Sequence, residues 1–148
     1  EICACLVGSE MCIRDSVNEY RQKFPQKAVT FYAQNYPAMG WAVFMAGGSC
    51  PVIPCTDKAF LKDAAAMEVE ETNTDEYKKM VKSDIGSIIY SKSGTEIPVQ
   101  LSSGKYVLKY IHPASGKIET INKSLKINGL YNLKVPDKKE GIYWFHKL

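Results

Sequence analysis

The sequence predicts an α+β fold, in which two strand–helix units precede a small antiparallel β-sandwich of about eight strands. Three observations lead to this prediction. Residues Tyr36 to Pro54 are the most apolar stretch and read as a buried helix followed by a buried strand. Beyond Asp75, hydrophobic side chains alternate with polar ones, as in strands with one buried face. Between these parts, the acidic stretch Glu68 to Asp75 has no apolar face, which places a domain boundary between residues 70 and 71.

The composition is that of a globular protein and gives no sign of nucleic-acid binding. Of the 148 residues, 45% are hydrophobic and 24% are charged, and the formal net charge is only +3. The lysines are scattered singly through strand-like segments, which argues against a nucleic-acid partner. No apolar run has the length needed to cross a bilayer, so we expect no membrane span.

The first sixteen residues, EICACLVGSEMCIRDS, have the character of an artefact. They contain three of the five cysteines, follow neither a helical nor a strand period, and lack the basic start and apolar run of a signal peptide. They closely resemble a translated sequencing adapter, and MCIRDS and LVGSE are the most specific parts of that resemblance. We therefore exclude residues 1–16 from fold and function, and interpret the chain as a C-terminal fragment whose natural sequence continues upstream of Val17.

The first strand–helix unit follows a polar segment. Residues Val17 to Lys27 are polar and interrupted by Pro25, which predicts a frayed helix or a loop. The β-branched and aromatic run Ala28 to Gln34 predicts a strand. Asn35 can then cap a helix that begins near Pro37, has almost no polar face before Gly47 and must be buried on nearly all sides.

The second unit repeats this order. Gly47 and Gly48 end the apolar helix, and the run Cys50 to Pro54 predicts a short buried strand bracketed by prolines. Thr56 or Asp57 can cap a second helix, Lys58 to about Glu68. The apolar residues of this helix recur at the spacing of one helical face, namely Phe60, Leu61, Ala64 and Met67.

The sandwich strands are separated by turn residues rich in glycine, serine and asparagine. We expect Pro98 to mark an edge strand or a bulge, since proline cannot donate to a strand ladder. Trp144 is expected to anchor the core from the last strand. The predicted strands are Met80–Val81, Ser87–Tyr90, Ile97–Leu101, Tyr106–His112, Ile118–Ile121, Leu125–Ile127, Leu130–Val135 and Ile142–His146.

Cysteine and histidine usage gives no metal or redox signature. Cys50 and Cys55 are interpreted as two buried thiols, and a disulfide between them stays open for an oxidising compartment. A zinc site would need further ligands at suitable spacing, which neither the cysteines nor His112 and His146 provide. We therefore predict structural roles for both histidines.

Several segments resemble, in their content and order, the C-terminal end of certain bacterial glycoside hydrolases. These segments are GWAVFMAGGS, the helix with Ala64 to Met67, SIIYSKSGTEIPVQL, GKYVLKYIHPASGK and GIYWFHKL. The enzymes of this type carry a (β/α)₈ barrel followed by a small β-sandwich, often named a collagen-binding domain. The resemblance covers Ala28 to Leu148. It implies that residues 17–70 are the last two β/α units of the barrel and that residues 71–148 are an accessory sandwich.

The resemblance also implies a substrate site at the end of barrel strand seven, because chemistry in such barrels lies at the C-terminal strand ends. The residues implied to contact substrate are Tyr32, Gln34, Asn35 and Tyr36. Retaining enzymes usually place a nucleophilic carboxylate there. Gln34 can hydrogen-bond sugar hydroxyls but cannot act as that nucleophile. With no acidic residue between Ala28 and Cys55, the register is shifted, the catalytic pair lies upstream, or this branch binds without cleaving.

Two hypotheses about function follow from the resemblance and the pattern. In the first, the chain is the tail of a secreted, periplasmic or cell-surface polysaccharide-degrading enzyme. Its carbohydrate substrate binds the missing part of the barrel, the sandwich contacts and stabilises the barrel, and the fragment itself is inactive, without a cofactor. In the second, the sandwich is a non-catalytic module that binds carbohydrate or protein. A sugar-binding module should expose a line of coplanar aromatic side chains, whereas an accessory sandwich should bury an apolar patch against the barrel. The pattern favours the accessory role, because Tyr90, Tyr106 and Tyr110 share alternating faces with aliphatic residues.

Overall fold

A computed structural model describes residues 10–30, 36–72, 74, 76–92, 94, 96–137 and 140–148. Side chains are described from Ser16 in the first helix and from Gly40 in the second. The chain forms two compact units, which divide after Ile53, whereas we placed a domain boundary between residues 70 and 71. Within the described ranges, no helix combines the length and hydropathy that crossing a membrane requires.

The N-terminal unit contains α1 (Glu10–Lys23) and α2 (Tyr36–Met45). Helix α1 ends two residues before Pro25, so the helical alternative for the polar segment is confirmed for residues 17–23. The helix begins at Glu10, so the expectation that residues 1–16 stand outside the fold is wrong for residues 10–16. Val17 of α1 is buried in a small cluster with Val43 and Ala46. Residues 31–34 of the predicted first strand and the predicted cap Asn35 lie outside the described residues.

Helix α2 is confirmed, and its described residues are buried as its composition predicts. Val43 is fully inaccessible and Trp41 is 7% exposed, which identifies Trp41 as a core residue. The helix ends at Gly47, which has a φ of 70°, a left-handed conformation that glycine adopts without a steric cost. The Gly47 N–H donates to Phe44 O (2.8 Å) and the Gly48 N–H donates to Val43 O (2.9 Å), which satisfies two terminal carbonyls in the Schellman pattern.

The predicted strand Cys50 to Pro54 is wrong, because these residues have no regular structure. Pro51 and Pro54 lack the N–H groups of a strand ladder, and Cys50 has a φ of 54° that strands do not use. Val52 is 52% exposed rather than buried. Its backbone packs on α2 at Gly40, where a Cβ atom would lie 1.7 Å from the Val52 carbonyl oxygen.

In its described residues, the C-terminal unit contains one helix and two antiparallel sheets. The six-stranded sheet has the order β1-β2-β3-β8-β5-β6, and the two-stranded sheet pairs β4 with β7. This confirms a β-sandwich-like α+β architecture, whereas the described residues show no parallel strand pair of a barrel. The elements are α3 (Lys58–Ala66), β1 (Glu68–Glu70), β2 (Tyr77–Lys82), β3 (Gly86–Ser91), β4 (Glu96–Gln100), β5 (Gly104–Ile111), β6 (Ile118–Ile127), β7 (Leu130–Lys134) and β8 (Gly141–Lys147).

Two details of the predicted strands need correction. The acidic stretch from Glu68 is not a break, because β1 pairs there with β2 at the edge of the large sheet. An edge strand of three residues needs little apolar character, which explains why its sequence has a single apolar residue, Val69. The two predicted strands between residues 118 and 127 form the single strand β6, whose ladder with β5 is interrupted by register shifts of the bulge type.

The main core lies between the two sheets. Alternate residues of β5 meet inward residues of β4 and β7, as the period of two predicts. Strands β3 and β8 are buried on both faces, and Trp144, the expected anchor of the core, packs against α3 on the face opposite to the main core. Pro98 lies in a strand with only one partner, in agreement with its predicted edge position. The core consists of Ile89, Ile97, Val99, Leu101, Tyr106, Leu108, Tyr110, Ile127, Leu133, Val135, Tyr143 and Phe145.

Helix α3 packs on the opposite face of the six-stranded sheet. Its N-cap is Asp57, whose Oδ1 accepts a hydrogen bond from the Phe60 N–H at 2.8 Å. The Phe60 ring makes an edge contact with the fully buried Trp144, with centroids 5.4 Å apart. The predicted apolar face is wrong at Leu61, which is 41% exposed, whereas Asp63 is buried.

Candidate functional site

The substrate contacts implied by the resemblance cannot be placed in the described part of the chain. Tyr32, Gln34 and Asn35 lie outside the described residues. Tyr36 is the first residue of α2, and its side chain is not described. The substrate site at a barrel strand end therefore stays a prediction.

The described residues instead form an open cleft of about 430 Å³ within the C-terminal unit. It lies between the second half of α3, the turn that joins β2 to β3, and the end of β8. The volume falls at the lower end of the range typical of small-molecule sites. The cleft is lined by Lys62, Asp63 and Ala66 of α3, by Asp84 and Ile85 of the turn, and by His146 of β8, with residues 147–148 beside it.

A buried carboxylate organises this cleft. Asp63 is 7% exposed, and its Oδ2 accepts a hydrogen bond from Trp144 Nε1–H at 2.9 Å. The same oxygen lies 2.7 Å from His146 Nδ1. A buried carboxylate needs such donors, because an unpaired charge in the interior is costly. The two bonds join α3 to the last strand.

The arrangement determines the tautomer of His146. The indole N–H of Trp144 is a donor only, so Asp63 Oδ2 is an acceptor. His146 Nδ1 must then carry the proton that it donates to Asp63. In the neutral imidazole, Nε2 is consequently an acceptor, and the side chain is 32% exposed in the cleft.

The charged side chains near the Asp63–His146 pair point in different directions. Lys109 Nζ lies 4.1 Å from the centroid of the Trp144 ring, in a cation–π contact. Lys147 faces the other side of the sheet, where it lies opposite Tyr106 and its Nζ donates to Ser102 Oγ at 2.8 Å. Lys62 and Asp84 thus remain as the charged side chains that accompany His146 and Asp63 in the cleft.

Sequence reasoning missed the Asp63–His146 pair, because 83 residues separate its members. One local signal was present. Asp63 lies three residues after Phe60 and next to Ala64, so it falls on the apolar face of α3. A carboxylate on such a face must find a buried partner.

The second histidine also pairs with a carboxylate. His112 Nε2 lies 3.2 Å from Glu119 Oε1, and Lys117 Nζ lies 3.4 Å from the same oxygen. Hydrogen bonds from His112 and then Lys117 lower the pKa of Glu119 below its ordinary 4.5. Over the described ranges, no three His, Cys, Asp or Glu side chains are grouped so as to hold a metal ion.

The two cysteines outside the first sixteen residues are thiols in different environments. Cys55 is buried, and desolvation raises its pKa above the ordinary 9.0. Cys50 is exposed, so the prediction of two buried thiols is wrong for this residue. Cys50 lies in the irregular segment after α2, where its backbone has a left-handed conformation.

Comparisons with known proteins give partial matches. Residues 8–67 match the family described as a domain of unknown function (DUF6298), which is less than half of the chain. The match begins inside residues 1–16, and the adapter interpretation of that segment stays a prediction. No curated protein matches the chain in sequence.

One solved structure that is similar to part of this chain is described as a glycoside hydrolase. The similarity covers 53% of this chain and 19% of that structure's chain, with 15% sequence identity and a TM-score of 0.41. This chain therefore spans about a fifth of the solved chain's length. At this identity and TM-score, the likeness assigns neither a fold nor an activity to the present chain.

Proposed function

We propose that this chain is the C-terminal part of a polysaccharide-degrading glycoside hydrolase and that its β-sandwich is an accessory, stabilising domain. The proposal starts from the sequence segments between Ala28 and Leu148 that resemble such enzymes. In this proposal, the residues from Val17 to Ile53 belong to the barrel, since α3 and β1 are parts of the C-terminal unit. The barrel contacts the sandwich and acts on carbohydrate outside the cell or in the periplasm. The fragment itself is inactive, since its catalytic carboxylates lie upstream.

The observation that favours an accessory role is the position of the aromatic side chains of the sandwich. Tyr106, Tyr110 and Trp144 are at most 3% exposed, so their rings stabilise the core rather than form a platform. Among the described residues of the C-terminal unit, the exposed large hydrophobic side chains are aliphatic, namely Leu61, Ile121, Leu130 and Leu148. A module that stacks sugars on exposed rings needs the opposite arrangement.

The proposed substrate contacts are the side chains at the end of the first predicted strand. In the complete enzyme, Gln34 and Asn35 would hydrogen-bond sugar hydroxyls, while Tyr32 and Tyr36 would pack beside the sugar ring. None of these four can replace a catalytic carboxylate, which is why the proposal assigns them to binding alone.

Extension of the gene sequence upstream tests this proposal directly. We expect six further β/α units, with a Glu or Asp near the end of the fourth strand, as the barrel architecture requires. An open reading frame that begins close to Val17 would refute the enzyme hypothesis. A longer chain without such carboxylates, together with retention of the present chain on a polysaccharide column, would favour the binding-module alternative.

A further inference from the structure

We propose that the cleft beside His146 binds a small neutral polyol, of the size of one sugar unit, through a hydrogen bond from a ligand hydroxyl to His146 Nε2. This inference goes beyond the proposed function, which requires no ligand on the sandwich. It depends only on residues of the C-terminal unit.

The imidazole is held in place before a ligand arrives. His146 Nδ1 donates a hydrogen bond to Asp63 Oδ2 at 2.7 Å, and the indole N–H of the buried Trp144 donates to the same oxygen at 2.9 Å. The other ring nitrogen, Nε2, has no hydrogen-bond partner in the part of the chain that the structure describes. A fixed acceptor in an open cleft binds a donor with little loss of side-chain entropy.

The charges in the cleft select a neutral ligand rather than an ion. Lys62 offers donors and Asp84 offers acceptors, and their formal charges cancel. Lys147 also lines the cleft, but its ammonium group donates to Ser102 Oγ at 2.8 Å on the other side of the sheet. The charge of Asp63 is compensated by its two hydrogen-bond donors. A hydroxyl group both donates and accepts, so vicinal hydroxyls can match an imidazole acceptor and an ammonium donor at once.

The size and the surface of the cleft limit the affinity. A volume of about 430 Å³ accommodates one ring with its hydroxyls, and Ala66 and Ile85 supply a small apolar surface. No exposed aromatic ring lies in the described part of the C-terminal unit to stack on a sugar. We therefore expect a Kd on the order of millimolar.

The test is a titration of the isotope-labelled full chain, with the imidazole nitrogens of His146 and His112 observed by NMR. Glucose, galactose and mannose are the neutral probes, and sulfate is the anionic probe. The expected result is a saturable shift of the His146 Nε2 signal with at least one neutral sugar and none with sulfate. The His112 signals, which arise at the His112–Glu119 pair, should not move.

Matched variants make the result specific. His146→Gln should abolish the response in the signals of Ala66 and Ile85, whereas His112→Gln should leave it intact. Lys62→Ala should weaken binding several-fold, and a retained Trp144 indole N–H signal verifies the fold of each variant. No saturable shift with any sugar, a response only to sulfate, or unchanged binding in His146→Gln would each overturn the proposal. The gene extension is read from sequence and the titration from the His146 signals, so each can fail without the other. Retention on a polysaccharide column supports the binding-module alternative only if it persists in His146→Gln.

Discussion

Replacing Asp63 with alanine tests whether the buried carboxylate holds α3 on the sheet. The variant leaves the indole N–H of Trp144, which is fully buried, without an acceptor, at a cost of about 1–3 kcal/mol. His146 is 32% exposed and can turn toward water, so its lost bond costs about 0.5–1.5 kcal/mol. Removing a buried charge offsets part of this cost. We expect the free energy of unfolding of the C-terminal unit to fall by about 2 kcal/mol.

Urea unfolding of the full chain measures this loss. A Trp41→Phe background leaves Trp144 as the only tryptophan, so that fluorescence follows the C-terminal unit. With a slope of about 1–3 kcal/mol per molar urea, the midpoint should fall by about 1 M. Asp63→Asn keeps an acceptor oxygen and should lose less. Asp84→Ala, an exposed carboxylate in the same cleft, should change stability by less than about 0.5 kcal/mol. Equal decreases in the free energy of unfolding in Asp63→Ala and Asp84→Ala would refute the stabilising role assigned to the Asp63 hydrogen bonds.

Four further predictions concern other parts of the chain. Burial raises the pKa of Tyr143 to about 12. The contribution of the neutral side chain to stability is therefore complete below about pH 10 and is lost as the pH rises through about 12. An alkaline absorbance titration in which every tyrosine ionises near pH 10 would contradict this. The pKa of Glu119 is lowered from 4.5 in the folded chain, so the contribution of its carboxylate to stability is lost as the pH falls through that lowered pKa. Carboxyl NMR should show the pKa of Glu119 returning toward 4.5 in His112→Gln and staying unchanged in His146→Gln. Gly86→Ala places a Cβ 1.8 Å from Phe145 O at a φ of 155°, and we expect a loss of more than about 2 kcal/mol in urea unfolding, against a loss below about 1 kcal/mol for Ser103→Ala. Deleting residues 1–16 should leave the Tm unchanged if they derive from an adapter, and a fall of several degrees would place them in the fold.

Local pattern predicted the elements whose burial is one-sided or complete. The apolar run of α2 left no alternative to a buried helix, and the alternation in β5 fixed both the strand and its inward face. In β3 and β8, which are buried on both faces, the pattern predicted the strands but not the faces. Turn residues marked most strand ends. These signals depend only on neighbours in sequence.

The features that pattern missed depend on partners distant in sequence. Strand β1 exists because β2 offers it a ladder, whereas Cys50 to Pro54 has strand-like composition without the donors for one. Asp63 and Trp144 are separated by 81 residues in the sequence. Their contact could have been suggested only by recognising that Asp63 falls on the buried face of α3. The candidate cleft was unpredictable for the same reason.

The position of β8 has a consequence for how the C-terminal unit is made. This strand follows β3 and β5 in the sequence, yet it lies between them in the interior of the large sheet. The hairpins β2–β3 and β5–β6 can each form from neighbouring segments, but they stay separate parts of the sheet until β8 pairs with both. We therefore expect the insertion of β8 to be the late, cooperative folding step of this unit, and a variant truncated before Gly141 should be a substrate for chaperones and proteases rather than a smaller domain.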